Sequence, residues 1–162
     1  MRLSQATRVN LARDRRVLGK AWGRVYSKYF SDRRVLDSFV GACSSIAAKL
    51  PSEPTVLYVC SGTGLLGGYL SEYLRRKGFA PRLTLVDASA KQLRENKNRT
   101  TEKIAADLLN LRLGRKFDLI IMRSSLDYFP SANEQVKALS FALETKRFFR
   151  QPVLFAFNEE RT

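Results

Sequence analysis

The stretch at residues 56–67 constrains the fold of this chain more than any other; it reads Val-Leu-Tyr-Val-Cys-Ser-Gly-Thr-Gly-Leu-Leu-Gly. An apolar run typical of a buried strand passes directly into a glycine-rich turn, and a helical pattern follows. Glycine lets the backbone approach a ligand closely because it has no Cβ. The first amides of the following helix favour a negatively charged group. The segment therefore predicts a strand, a cofactor-binding turn and a helix.

Strand-like and helix-like patterns alternate along the rest of the chain. This alternation predicts an α/β fold, with a doubly wound, mostly parallel Rossmann-like sheet of about five strands and two N-terminal helices. We expect one domain over 1–162, with the N-terminal helices at 1–50 and a cofactor-binding α/β core at 55–158. The predicted strands are 55–60, 82–87, 104–106, 117–122 and 152–157, and the predicted helices are 6–30, 33–50, 65–78, 89–98 and 132–149.

The chain is strongly basic, with 29 Lys and Arg against 15 Asp and Glu and a formal net charge of +14. Residues 1–50 hold 11 of the basic residues and 3 of the acidic ones. Such an excess predicts attraction to a polyanion, RNA or DNA, through the basic N-terminal helices. A solvated basic surface explains the same excess, and so does the absence of an acidic partner segment, so these interpretations remain open beside it.

Several classes of site are excluded by composition. The chain has no histidine, which removes His-based catalytic triads and His metal ligands. Its two cysteines, Cys43 and Cys60, lie in different patterns, which predicts free thiols, no metal site and a reducing, cytoplasmic compartment. No apolar run reaches the roughly 18 residues of a membrane-spanning helix.

The type of cofactor follows from the acids placed after the predicted strands. Residues 62–67 match the glycine pattern of dinucleotide-binding domains, with Asp87 at the position of a ribose-binding acid. The same strand, glycine and acid logic serves S-adenosylmethionine. The long helical segment before the first strand favours the latter. So does Asp107, because a carboxylate after the third strand can accept a hydrogen bond from the amino group of adenine.

Four motifs together resemble the class I S-adenosylmethionine-dependent methyltransferases. The family's usual Val-Leu-Asp-Leu-Gly-Cys-Gly-Thr-Gly aligns without gaps on 56–64. Val-Asp at 86–87, Ala-Asp-Leu at 106–108 and Phe-Asp-Leu-Ile at 117–120 follow in the family's order. The resemblance extends over roughly 35–157, and it implies S-adenosylmethionine as cofactor and methyl transfer to a small molecule or RNA.

The resemblance also implies a role for individual residues. The loop around the methionine part and ribose would be Cys60, Ser61, Gly62, Thr63 and Gly64. Asp87 would bind the ribose hydroxyls with Ala88 and Ser89 beside the adenine, Asp107 and Leu108 would hold the adenine edge, and Arg123, Ser124 and Ser125 would lie under the sulfonium and the substrate.

Some of these residues have alternative roles that the sequence leaves open. Asp87 or Ser89 can cap the following helix, and Asp107 can be a solvated loop acid. Asp118 is predicted to be structural. Asp127 and Tyr128 follow the fourth strand and are the candidate catalytic residues, as a general base or as walls of the substrate pocket.

Two positions depart from the family pattern. Tyr58 stands where the family has an acid, and Cys60 stands where it has a glycine. If each change costs ~1–2 kcal/mol, cofactor affinity falls by ~30- to ~1000-fold. A non-catalytic basic interaction module on a decayed methyltransferase fold is therefore the alternative function. The strand at 152–157 is expected to expose an edge that pairs with a second copy or a partner chain.

Overall fold

The computed structural model describes residues 8, 9, 12, 28, 29, 31–123, 125, 126, 129, 131–145 and 153–156. Residues 8, 9, 12, 28 and 29 are helical. The rest of the helix predicted at 6–30 lies outside the described residues. Of the helices that the structure describes, none is both long and apolar enough to cross a membrane.

Helices and strands alternate as the sequence predicts. In chain order the elements are α1 Arg33–Ala47, β1 Thr55–Val59, α2 Leu65–Arg76, β2 Arg82–Asp87, α3 Ala90–Glu95, β3 Glu102–Ala105, a 3₁₀ helix Leu108–Asn110, β4 Leu119–Arg123, α4 Ala132–Thr145 and β5 Val153–Ala156.

The five strands form one sheet in the order β3-β2-β1-β4-β5, and all neighbouring pairs are parallel. Tyr58 of β1, for example, is in register with Leu85 of β2 on one side and Ile121 of β4 on the other. The predicted Rossmann-like fold is therefore confirmed. The strand order reverses between β1 and β4, where parallel α/β sheets place their ligand crevices.

Strand β1 lies at the centre of the sheet and is buried on both faces. Val56 and Tyr58 face a core shared with α1 and α2, whereas Leu57 and Val59 face a core shared with the 3₁₀ helix and α4. This explains why β1 reads as a continuous apolar run rather than an alternating one. Burial on both faces fixes the position of β1 in the core, and with it the position of the loop that follows.

Local capping signals set several of the element boundaries. Asp32 caps α1 by accepting a hydrogen bond from Arg34 N, and Gly78 has φ 89° just after α2. Other bounds differ from the prediction: β3 begins at Glu102 rather than at 104. Its Glu102 and Lys103 are exposed, because β3 is an edge strand, so it lacks the apolar pattern of a central strand.

The predicted structural role of Asp118 is confirmed. Its Oδ2 accepts hydrogen bonds from Thr55 N at 2.8 Å and Thr55 Oγ1 at 2.7 Å. These bonds join the start of β1 to the start of β4, at the amino ends of the strands, whereas the glycine loop lies at the carboxyl ends. Because they fix the register of the two strands that flank the crevice, Asp118 supports the site from a distance.

Candidate functional site

The loop after β1 is held by its own backbone and by β2. Ser61 N donates to Val86 O at 3.0 Å, and Gly64 N donates to Ser61 O at 2.9 Å. Cys60, Gly62 and Gly64 have φ values of 52°, 57° and 75°. Three left-handed residues within five positions form a tight loop, and this loop leads directly into the first turn of α2.

Cys60 is the non-glycine residue with positive φ among the described residues. It adopts the left-handed conformation that a glycine would adopt easily, and such strain costs of the order of ~1–3 kcal/mol. Although the residue as a whole is half-buried, its thiol is enclosed by protein, and this burial, with the negative charge of Asp87, raises its pKa to about 12. The thiol is therefore protonated at neutral pH and is a poor nucleophile.

Asp87, at the end of β2, holds the loop. Its Oδ2 accepts a hydrogen bond from Gly62 N and its Oδ1 accepts one from Ser89 N, both at 2.7 Å. Burial raises the pKa of the carboxyl group, while the two amide donors oppose the rise. A carboxylate has about four lone-pair sites, so beyond these two bonds Asp87 has capacity for two ligand hydroxyls.

The question of which residue caps α3 is settled by Ser89. Its hydroxyl oxygen accepts from Gln92 N at 3.4 Å, as predicted for a helix cap. Asp87 therefore supports the loop rather than the helix. Ala88 lies half-buried between these two residues.

Asp107 is buried, with 2% of its surface exposed, so the alternative of a solvated loop acid is wrong. Its Oδ1 accepts a hydrogen bond from Leu109 N at 3.1 Å and starts the 3₁₀ helix. Leu108 beside it is also buried. The charge of Asp107 is the smallest of the contributions that raise the pKa of the Cys60 thiol.

Gly64 is required by the packing of the chain itself. A Cβ added at this position would lie 2.2 Å from Leu85 Cδ1 and 2.9 Å from Asn96 Nδ2. Asn96 Nδ2 in turn donates to Thr63 O at 3.0 Å. Sequence reasoning missed Leu85 and Asn96 as supports of the loop, because nothing local distinguishes a leucine in a strand or an asparagine after a polar helix. Contact of Thr63 and Gly64 with a cofactor remains a prediction.

Tyr58 shows what replaces the family's acid. The residue is 1% exposed and belongs to the core between the sheet and helices α1 and α2. Its ring fills the space left by Gly67: a Cβ there would be 3.0 Å from Tyr58 Cδ1 and 3.2 Å from Leu83 Cδ2. The side chain therefore supports the first turn of α2 by packing, where an acid would have acted by hydrogen bonding.

Strand β4 brings Arg123 and Ser125 to the same edge of the sheet. The Arg123 guanidinium lies over the Phe39 ring, with 5.8 Å between Cζ and the ring centroid. The side chain thus reaches α1, and its contact with a cofactor remains a prediction. Ser124, Asp127 and Tyr128 lie outside the described residues, so the catalytic role of the last two also remains a prediction.

Two buried hydroxyls lie next to the loop. Ser61 is 1% exposed and Ser125 is 3% exposed, and neither Oγ has a hydrogen-bond partner in the structure. The Ser125 hydroxyl is near the Cys60 thiol and opposes the rise of its pKa, but the pair lacks the geometry of a full hydrogen bond. Buried polar groups without partners are rare in folded proteins, so these two hydroxyls are candidate contacts for a bound molecule.

Known structures with the same fold are methyltransferases. One is an S-adenosylmethionine-dependent methyltransferase from Clostridium acetobutylicum, with 20% identity and a TM-score of 0.62 over 85% of this chain and 57% of that chain. A second is the N-methyltransferase NodS from Bradyrhizobium japonicum in complex with S-adenosyl-L-homocysteine (SAH), with 16% identity and a TM-score of 0.60 over 73% and 60%. The chain spans less than two thirds of the length of both.

A third is the plantazolicin methyltransferase BpumL, crystallised with a monoazolic desmethylPZN analog and SAH, at 19% identity and a TM-score of 0.61 over 84% of this chain and 52% of that chain. No curated protein sequence matches the chain. A family model described as a methyltransferase domain matches residues 59–146, which is more than half of the sequence. The match begins at the last residue of β1 and extends beyond α4, so it contains every candidate site residue from Cys60 to Tyr128. This chain therefore belongs to the methyltransferase domain family and has the fold of its class I, S-adenosylmethionine-dependent members.

Proposed function

We propose that the chain binds S-adenosylmethionine at the carboxyl ends of β1, β2 and β3 and transfers its methyl group to an acceptor. The observation that carries the proposal is the half-buried Asp87 carboxylate, which is fixed by Gly62 N and Ser89 N at 2.7 Å each. A carboxylate fixed in this way is ready to accept hydrogen bonds from the two hydroxyls of a ribose without reorganising.

The residues at the site fit the adenosine half of this cofactor well. Asp87 would accept from the ribose, and buried Asp107 and Leu108 would border the adenine. The hydroxyls of Ser61 and Ser125 provide partners for polar groups of the other half. Tyr58 replaces the family's acid beside the methionine half of the cofactor. This replacement supports weaker cofactor binding rather than none.

The cofactor supplies an electrophilic sulfonium methyl group. The residues of the chain then have to bind and orient the acceptor and exclude water, because methyl transfer depends mainly on the alignment of the reacting atoms. We place the acceptor near 123–129, with Asp127 as the residue that removes a proton from it and Tyr128 as part of its pocket. The acceptor class is a small molecule or RNA.

Isothermal titration calorimetry with SAH tests the cofactor proposal. Hydrogen bonds to a charged group contribute ~1.5–3 kcal/mol, so Asp87→Asn should weaken SAH binding by ~10- to ~150-fold. The matched control is Asp37→Asn, since Asp37 is an exposed acid of α1 that pairs with Arg33. Absence of heat at millimolar SAH with a folded wild-type protein would refute the proposal, and an equal effect of both variants would remove Asp87 from the site.

A basic interaction module is the second candidate function, and one surface favours it. Lys91, Arg94, Lys97 and Arg99 are exposed on α3 and the loop after it, and no ion pair among the described residues involves them. Neutralising four phosphates of single-stranded RNA gives a slope of about −3 in log K against log salt.

Fluorescence anisotropy with a single-stranded RNA measures this slope. The double variant Lys97→Ala/Arg99→Ala should reduce its magnitude by about 1.4, whereas Lys77→Ala, at the end of α2, should not change it. Binding that does not depend on salt would exclude the module.

Pairing of the outer edge of β5 with a second copy stays a separate proposal, which light scattering tests.

A further inference from the structure

We propose that Asn96 is a positioning residue for the cofactor. Its side-chain amide holds the peptide between Thr63 and Gly64 in one orientation, so that the glycine loop has its binding conformation before the cofactor binds. The inference rests on the S-adenosylmethionine binding proposed above and adds to it a residue outside the loop. Asn96 acts through the loop and does not itself have to touch the cofactor.

The first observation is that this peptide is hydrogen-bonded at both ends. Asn96 Nδ2 donates to the carbonyl oxygen of Thr63 at 3.0 Å. Gly64 N donates to Ser61 O at 2.9 Å. The C=O and N–H groups of a trans peptide point in opposite directions, so the two bonds favour the same orientation. A flip of the peptide would break both bonds and turn the Thr63 oxygen toward Ser61 O.

The second observation is that Gly64 does not by itself select this orientation. A flip of the peptide changes ψ of Thr63 and φ of Gly64 by about half a turn. Gly64 has φ 75°, and glycine adopts positive and negative φ about as readily as each other. The orientation therefore depends on the two hydrogen bonds, of which the one from Asn96 comes from outside the loop.

The third observation is that Asn96 is itself held in place. Its backbone oxygen accepts a hydrogen bond from Lys103 Nζ at 2.7 Å, and its backbone N–H donates to Leu93 O at 3.3 Å. Its side-chain Oδ1 accepts from Asn98 N at 3.0 Å. Because the oxygen end of the amide is bonded to Asn98, the nitrogen end is directed at Thr63 O. Asn96 therefore presents a fixed donor to the loop.

The orientation of this peptide matters for the cofactor because of its place in the loop. Thr63 directly follows Gly62, whose amide fixes the Asp87 carboxylate at 2.7 Å. A flip at the next residue would loosen that amide, and with it the geometry that Asp87 offers to a ribose. The cofactor would then bind only the molecules whose loop has the observed conformation. The apparent affinity falls in proportion to the fraction of such molecules.

Calorimetry with SAH, which has no net charge at neutral pH, measures the effect on binding. Asn96→Ala removes the donor to Thr63 O and should weaken SAH binding by roughly 2- to 5-fold. Asn96→Asp keeps the shape of the side chain but replaces the donor by a second acceptor. A carboxylate at this position repels Thr63 O and favours the orientation in which the Gly64 N–H faces it. SAH binding should therefore weaken by roughly 10-fold or more.

The matched control is Asn98→Asp, in the same loop as Asn96. Asn98 is exposed, and its Oδ1 accepts from Thr100 N at 2.9 Å and from Thr100 Oγ1 at 2.8 Å. A carboxylate oxygen accepts both bonds equally well. The control therefore adds the same charge without changing the donor to Thr63, and its affinity for SAH should stay within about 2-fold of the wild type. A loss as large as that of Asn96→Asp would show an effect of charge alone and would overturn the inference.

Crystal structures of the ligand-free proteins give a readout that does not depend on cofactor binding. The wild type should show Thr63 O directed at Asn96. Asn96→Asp should show the peptide turned, with the Gly64 amide facing the carboxylate at position 96. A general loss of stability would not turn one peptide. If the peptide is not turned in Asn96→Asp, or if this variant binds SAH as the wild type does, the inference is wrong while the proposed function stands.

The remaining outcomes are also decisive. If Asn96→Asp does not fold, Asn96→Ala decides the question: an affinity below that of the Asn98→Asp control supports the inference, and an equal affinity overturns it. If wild-type protein binds no SAH, the proposed function is wrong. The role of Asn96 toward the cofactor is then wrong as well, even where the crystal structures show a turned peptide.

Discussion

Alanine substitutions at three glycines separate backbone strain from lack of space in the glycine loop. Gly64 has φ 75°, and a Cβ there would lie 2.2 Å from Leu85 Cδ1 and 2.9 Å from Asn96 Nδ2. Gly78 has φ 89° but nothing within 4 Å of its added Cβ, and Gly68, inside α2, has neither restriction. Alanine therefore meets both backbone strain and lack of space at Gly64, backbone strain alone at Gly78, and neither at Gly68.

The expected changes in the free energy of unfolding follow from these contacts. Gly68→Ala should stabilise the protein by ~0.5–1 kcal/mol, because glycine is a poor residue inside a helix. Gly78→Ala should destabilise it by about 1 kcal/mol, since left-handed strain of ~1–2 kcal/mol is partly offset by the lower entropy of the unfolded chain. Gly64→Ala adds overpacking of ~1–3 kcal/mol and should destabilise by ~2–4 kcal/mol.

Leu85 determines the size of the largest effect. It is completely buried, so its Cδ1 has no free space into which it can move away from the new methyl group. Urea unfolding gives the three free energies. Thermal melts should show a fall in Tm of roughly 5–15 °C for Gly64→Ala. If Gly64→Ala is no more destabilising than Gly78→Ala, the reasoning is refuted, because the contact with Leu85 then imposes no cost.

Three further predictions concern the acids and the thiol. Burial raises the pKa of Asp87 above its ordinary value of 3.8, so the stability that its protonated form contributes is complete at low pH and is lost as the pH rises through the raised pKa. The urea midpoint of wild type relative to Asp87→Asn should therefore fall as the pH rises above 3.8, and a difference that does not change with pH would contradict the shift. The thiols of Cys60 and Cys43, whose pKa values burial raises to about 12, should react with a thiol reagent at pH ~8 at least ~10-fold more slowly than after denaturation; equal rates would show that they are accessible. Asp118→Ala should destabilise the fold by ~2–3 kcal/mol, because Thr55 N and Oγ1 lose their charged acceptor; a change below about 0.5 kcal/mol in urea unfolding would contradict that role.

Much of the fold follows from local signals in the sequence. The bounds of β2, at Arg82–Asp87, agree with the prediction because its buried centre, Leu-Thr-Leu-Val, is mostly apolar and is flanked by two charged residues. Asp32, Gly78 and Ser89 mark helix ends through interactions with residues only a few positions away. The order of the acids after the strands was likewise sufficient to indicate the family.

Other features depend on contacts between distant parts of the chain. The bond from Asn96 to Thr63 joins residues 33 positions apart, and no local pattern announces it. The burial of Asp107 is also tertiary, because a single acid in a loop looks the same whether it is solvated or enclosed. Cys60 shows the limit in a different way: the sequence suggests a conflict with the glycine conformation, and the structure adopts that conformation in spite of it.

The packing of Tyr58 against Gly67 also restricts how this chain can change by mutation. A single substitution Tyr58→Asp would not restore the family's motif, because it would leave a void under α2 and place a charge in the apolar core around Leu83. A larger residue at 67 would in turn clash with the tyrosine ring. Both positions therefore have to change, and the variant in which only one of them has changed is of low stability. A return to the family's usual loop thus requires passing through a destabilised single variant. The low stability of that variant is enough to preserve Tyr58 at this position once it has arisen.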